Sequence, residues 1–125
     1  MRLAIETKST GRVLVELTEE CPKTLEALLE ALPFASKANI WGDEVYFSTP
    51  VEAAPENPVE VVEEGAVAYW PPGRALCIFY GPTPASRGDE IRPASPVNPL
   101  GRVVGDPRIF SRVRGSEEIS VSLAP

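Results

Sequence analysis

The run Gly65-Ala66-Val67-Ala68-Tyr69-Trp70, then Pro71-Pro72-Gly73-Arg74, then Ala75-Leu76-Cys77-Ile78-Phe79-Tyr80, decides the fold. Two apolar stretches of strand length flank a proline-glycine turn, the pattern of a β-hairpin. Pro72 and Gly73 at the two central turn positions predict a type II turn, in which glycine supplies the positive φ. That register sets residue 69 opposite 76 and residue 67 opposite 78. One face then carries Val67, Tyr69, Leu76, Ile78 and Tyr80; the other carries Ala66, Ala68, Trp70, Ala75, Cys77 and Phe79. Both faces are apolar, so both must be covered. The face of large residues suits the inside of a barrel, and the alanine-rich face suits the close approach of a helix. The expected architecture is mainly β: a closed antiparallel β-barrel with one main helix capping it, in one domain over residues 1–125.

Outward from this ribbon, the chain reads as further β-structure around a single helix. Leu3 and Ile5, then Val13, Val15 and Leu17, alternate with polar residues on either side of Ser9-Thr10-Gly11, an opening hairpin. Pro22 suits the first position of a helix. Leu25, Leu28, Leu29 and Leu32 recur on its core face, Glu26 and Glu30 fall on the other, and Pro33 ends it. Ile40-Trp41 and Val45-Tyr46-Phe47 flank a turn at Gly42-Asp43. Residues 48–58 read as loop and Val59 to Val62 as a short strand. Five prolines make 81–99 a long irregular segment, of a length that compact domains keep for a use. Arg102-Val103-Val104 and Glu118 to Leu123 are late strands, with a helical turn from Pro107 to Val113 between them.

The composition excludes much chemistry. The chain has no histidine, so Ser-His-Asp and Cys-His nucleophilic systems and histidine zinc sites are out. Cys21 and Cys77 read as two small buried hydrophobes. A net charge of −6 argues against non-specific nucleic-acid or membrane binding. Residues 1–64 hold 13 acids and 5 bases, residues 65–125 hold 5 acids and 7 bases, and the basic surplus reads as a solvated face. With no long apolar run and no leader-like N-terminus, a soluble cytoplasmic protein is expected. The lack of glutamine and the many loop prolines fit heat adaptation, although three lysines against nine arginines depart from the hyperthermophile pattern.

Read in order, the pieces resemble a cyclophilin. Cys21-Pro22-Lys23-Thr24-Leu25-Glu26-Ala27-Leu28-Leu29 looks like the first helix of that fold, and Gly65 to Phe79 like the wall bordering its peptide groove. Gly101-Arg102-Val103-Val104 with Ile109, Val113 and Gly115 looks like its closing strand, short helix and last turn. Trp41-Gly42-Asp43-Glu44-Val45-Tyr46-Phe47, Phe79-Tyr80-Gly81-Pro82-Thr83-Pro84 and Pro96-Val97-Asn98 are, more specifically, similar to small prokaryotic cyclophilin-like proteins. The resemblance covers nearly the whole chain. It implies a compact barrel and a groove on its wall. It does not carry over the isomerase residues: the family's histidine falls near Val97, its tryptophan near Arg92, and its arginine strand on 40–47, which has no arginine.

Seven of the nine aromatic residues lie within 41–80. Stiff flat side chains bind proline rings and extended peptides at low entropy cost. Trp41, Glu44, Tyr46, Tyr69, Trp70, Phe79 and Thr83 are therefore the expected ligand-contacting residues, with a proline-containing or extended peptide as the first partner and no cofactor. Weak prolyl isomerisation is the alternative, with Arg74 and Arg92 the candidates to hydrogen-bond the prolyl nitrogen. A small-molecule enzyme or binder is another, using the acids Asp43, Glu44, Asp89 and Glu90 and a bidentate Arg92. The state expected is a monomer or a homodimer joined through the aromatic patch.

Overall fold

In the computed structural model, which describes residues 1–125, the opening hairpin forms as its alternation predicts. β1 (Arg2–Thr7) and β2 (Gly11–Leu17) pair antiparallel, Arg2 opposite Glu16 and Thr7 opposite Gly11. The turn is fixed by the Thr10 N–H donating to Thr7 Oγ1 at 3.0 Å, and by Gly11 at φ +68°, which a side chain would strain. Helix α1 (Pro22–Ala31) follows, then β3 (Phe34–Lys37), β4 (Asn39–Ile40), β5 (Glu44–Ser48), β6 (Ala66–Trp70), β7 (Ala75–Phe79), β8 (Asn98–Val103) and β9 (Glu118–Ala124). All pairings are antiparallel, in the order β3-β9-β1-β2-β8-β6-β7-β5-β4. The two ends of the sheet curl toward each other, and the rings of Phe34 on β3 and Phe47 on β5 meet 6.5 Å apart across the seam. The result is a nearly closed barrel.

Inward-facing residues of the longer wall strands fill it. Leu3, Ile5, Val15, Phe47, Val67, Tyr69, Leu76 and Ile78 are fully buried in one cluster. Helix α1 joins that cluster through Leu28, with Leu25, Ala27 and Leu32 at its margin, and so caps the barrel. Its first turn is held by a distant residue. The Glu56 carboxylate accepts the N–H of Lys23 at 3.1 Å and of Thr24 at 2.9 Å, as well as the Thr24 hydroxyl at 2.7 Å. Free helical N–H groups need such an acceptor, and a negative one suits that end of the dipole. Asn98, fully buried, fixes Glu56 in turn: its Oδ1 accepts the Glu56 N–H, and its Nδ2 donates to Thr24 Oγ1 and the Ala54 carbonyl, all at 3.0 Å.

The ribbon has the expected register, Val67 opposite Ile78 and Tyr69 opposite Leu76, but four features differ from the sequence reading. The turn is not type II. Trp70 pairs with Ala75, leaving a four-residue loop in which Pro71–Gly73 form a 3-10 turn and Arg74 takes the positive φ, at +48°. Gly73 is required for space instead: a Cβ there would stand 2.5 Å from the Trp70 ring. Second, the alanine-rich face does not meet the helix. It lies outside the barrel and is covered by Ile91 and Val97 from the proline-rich segment, with Val59 and Val62 packed beside them. Small side chains let this segment approach as closely as a helix would. Third, Val59 to Val62 is not a strand but two isolated bridges, Val59 to Val97 and Val62 to Ile91, which pin that cover down. Finally, β3 has no counterpart in the sequence reading, because Phe34-Ala35-Ser36-Lys37 is short and shows no apolar alternation.

β8 must pass close to β2 and β6 at once, and it does so at Gly101. Between Val67 and Ala68 the pairing jumps from Gly101 to Pro99, a bulge that bends the wall. A Cβ on Gly101 would strike the carbonyl oxygen of Glu16 and stand 3.1 Å from Val15 Cγ1. Gly101→Ala is expected to lower unfolding stability by about 2 kcal/mol in urea melts. An unchanged midpoint would show that the wall yields there.

Candidate functional site

Strand alternation builds the site. On the outer face of the wall, Glu44 and Tyr46 from β5 lie over the same side as Cys77 from β7, since Glu44 pairs with Phe79 and Tyr46 with Cys77. Trp70 extends that face from the end of β6. Trp41 joins from the turn between β4 and β5, where Gly42 takes φ +59° and a Cβ would be 2.7 Å from Pro84 Cδ. Pro93, Ala94 and Val97 of the long segment close the other side. Together these residues enclose an apolar cavity of about 250 Å³, open at its mouth.

The segment forming that rim is held by its own polar groups. The Trp70 indole N–H donates to Ser95 Oγ at 2.7 Å, which ties rim to wall and fixes the ring. The Thr83 hydroxyl donates to the Arg92 carbonyl and accepts from the Ala85 N–H; Ser86 Oγ accepts from Thr83 N–H at 3.0 Å. Glu90 accepts the N–H of Gly88 at 2.8 Å and of Arg87 at 3.1 Å, and pairs with Arg92 Nε at 3.1 Å. A stretch with so few regular hydrogen bonds keeps one shape because its side chains supply the rest.

Among the lining residues Glu44 stands out. It is 5% exposed, and its Oε1 is buried with no hydrogen-bond partner. Burial pushes its carboxyl up to about 7, with the Cys77 thiol, a donor to the charged form, opposing the rise. Burial likewise drives the Cys77 thiol well above its ordinary range, and the neighbouring Glu44 charge adds to it. Such a thiol is held in its neutral form, which disfavours a role as nucleophile. The groups gathered here can bind, orient and exchange one proton.

Of the residues expected to contact a ligand, Trp41, Glu44, Tyr46 and Trp70 come together in this cavity. Tyr69 points the opposite way, into the barrel, where its hydroxyl donates to the Val51 carbonyl at 2.8 Å. Phe79 is fully buried in the layer between wall and segment, and Thr83 is spent inside the segment. Arg74, at the hairpin tip, pairs with Glu52 at 2.7 Å, and Arg92 pairs with Glu90; neither lines the cavity. Cys77, Pro93, Ala94 and Val97 line the cavity although the sequence did not single them out as ligand contacts. Only Val97 carried a signal, as the place where the cyclophilin histidine falls.

Residues 1–122 match the model of the cyclophilin-like family. The chain belongs to that family. It is also similar to the solution structure of AF2241, a hypothetical protein from Archaeoglobus fulgidus. The two are 47% identical over 99% of this chain and 95% of that one, with a TM-score of 0.85. No curated protein matches. No helix of this cyclophilin-like domain is long and apolar enough to cross a membrane.

A carboxyl whose pKa rises on folding binds its proton more tightly in the folded state, so its contribution to stability is full below its unfolded value near 4.5 and is lost as the pH rises through about 7. Other carboxyls with resolved shifts, such as Glu117 at about 2, are lowered and act below this window. Stability is expected to fall by about 3 kcal/mol between these limits, at 1.36 kcal/mol per pKa unit. Glu44→Gln should flatten that slope in thermal melts run from acid to neutral pH. A variant that keeps the wild-type slope would place the titration elsewhere.

Proposed function

We propose that this domain is a non-catalytic binding module whose outer-wall cavity takes one compact apolar group of a small molecule and presents the Glu44 carboxyl to its polar end. The supporting observation is a buried carboxyl with one oxygen left unpartnered, set in walls that are almost wholly apolar. Pockets with a few convergent polar groups in an apolar lining are the usual form of small-ligand sites. A buried oxygen without a partner costs about 1–3 kcal/mol, which holds Glu44 toward its neutral form while the cavity is empty. The cavity is small, which restricts the occupant to a ring or a branched headgroup.

An extended, proline-containing peptide is the second reading, favoured by the three aromatic side chains around the mouth. A prolyl ring fits such walls, but its tertiary amide has no N–H to offer Glu44. Isomerase activity has less support still, since Arg74 and Arg92 both pair with carboxylates outside the cavity. Proline tetrapeptides should isomerise at the uncatalysed rate in the presence of the domain.

The binding test uses the indole N–H signals of Trp41 and Trp70 in NMR titrations with compact ring-bearing small molecules and with proline tetrapeptides. Small molecules should move both signals saturably, and Trp41→Ala should weaken them by about ten-fold or more. Indoles that respond to peptides alone would favour the second reading, and indoles that respond to neither would remove the binding role.

A further inference from the structure

We infer that the cavity is a cage for a small organic monocation of the alkylated-ammonium class, set among Trp41, Tyr46 and Trp70 with its charge facing Glu44. This rests on the reading of the cavity as the binding site and names the chemistry that site selects. The first reason is charge. The lining holds one carboxylic acid and no lysine or arginine, while Arg92 is held by Glu90 and Arg74 by Glu52. Within the cavity no basic side chain supplies a counter-charge for an ionised Glu44, and a bound cation would.

The second reason is the aromatic wall. Indole and phenol rings attract a cation through their quadrupoles, tryptophan most strongly, and the attraction grows when water is excluded. Three such side chains converge here from three different elements, and the Trp70 ring is locked by its bond to Ser95. Pro93, Ala94 and Val97 complete the enclosure with surfaces suited to N-alkyl groups. A primary ammonium is a poorer occupant, because it carries three N–H donors and meets one acceptor carboxylate. A divalent metal is poorer again: hard cations need six or more oxygen ligands, and no group of three ligating residues is present.

The decisive comparison is choline against its uncharged carbon isostere, in which a quaternary carbon replaces the nitrogen, titrated into the wild-type domain with tryptophan fluorescence and the two indole N–H signals as readouts. Choline should bind about ten-fold or more tightly than the isostere. In Glu44→Gln that preference should shrink to the part that the aromatic rings supply. Equal affinity of both ligands for the wild type would overturn the cation inference and leave the cavity as a neutral binding site. If neither ligand moves the indoles while other compact small molecules do, the cation inference fails alone; if nothing moves them, the binding reading falls as well. The wild-type comparison decides the matter even if the Glu44 variant does not fold.

Discussion

A β-ribbon with apolar residues on both of its faces has to be buried twice. Residues 66–79 of this domain meet that demand with two unlike layers. Val67, Tyr69, Leu76 and Ile78 face the interior of the barrel, while Ala68, Ala75, Cys77 and Phe79 lie beneath a segment of little regular structure. The inner layer is a conventional core whose burial drives folding. The outer layer exists only because the 91–97 stretch is stitched to Val59 and Val62 and stiffened by Thr83, Ser86 and Glu90. Its incomplete coverage of the wall leaves the cavity, and the packing around that cavity leaves Glu44 only 5% exposed.

How far the sequence leads depends on how local the determining physics is. The opening hairpin, helix α1, the register of the ribbon and the 3-10 turn at Pro107–Arg112 all follow from periodicity, turn residues and prolines within a dozen positions. The cover on the outer face does not. Small side chains at Ala68 and Ala75 announce a close neighbour without saying which, and an irregular segment serves where a helix was expected. The turn at 71–74 shows the same limit, because Gly73 answers to the Trp70 ring and not to its own φ. The Glu56 and Asn98 network on helix α1 joins residues more than 30 positions apart and leaves no pattern to read.

The candidate site was half legible for a related reason. Alternation on β5 and β6 is enough to put Glu44, Tyr46 and Trp70 on one face, and Trp41 follows from the tight turn at Gly42. Tyr69 shares the aromatic character of its neighbour but has the opposite parity; the hairpin register already turns it into the barrel, and choosing ligand contacts by aromatic character overrides that parity. What aromatic content conveyed was a wall; which side of the wall faced a ligand depended on the pleat. The family frame adds the place where a groove is expected, and Val97 lies there, but the histidine and glutamine of cyclophilin chemistry are absent from the chain. In their stead the wall presents a carboxyl at a depth where charge is costly.

Carboxyl-carbon NMR of selectively labelled glutamate reads that depth directly. The Glu44 resonance should titrate near 7, apart from the exposed glutamates, because the protein offers its Oε1 no partner and little water. A midpoint near the ordinary value of 4.5 would mean that solvent reaches the carboxylate freely in spite of the apolar groups around it.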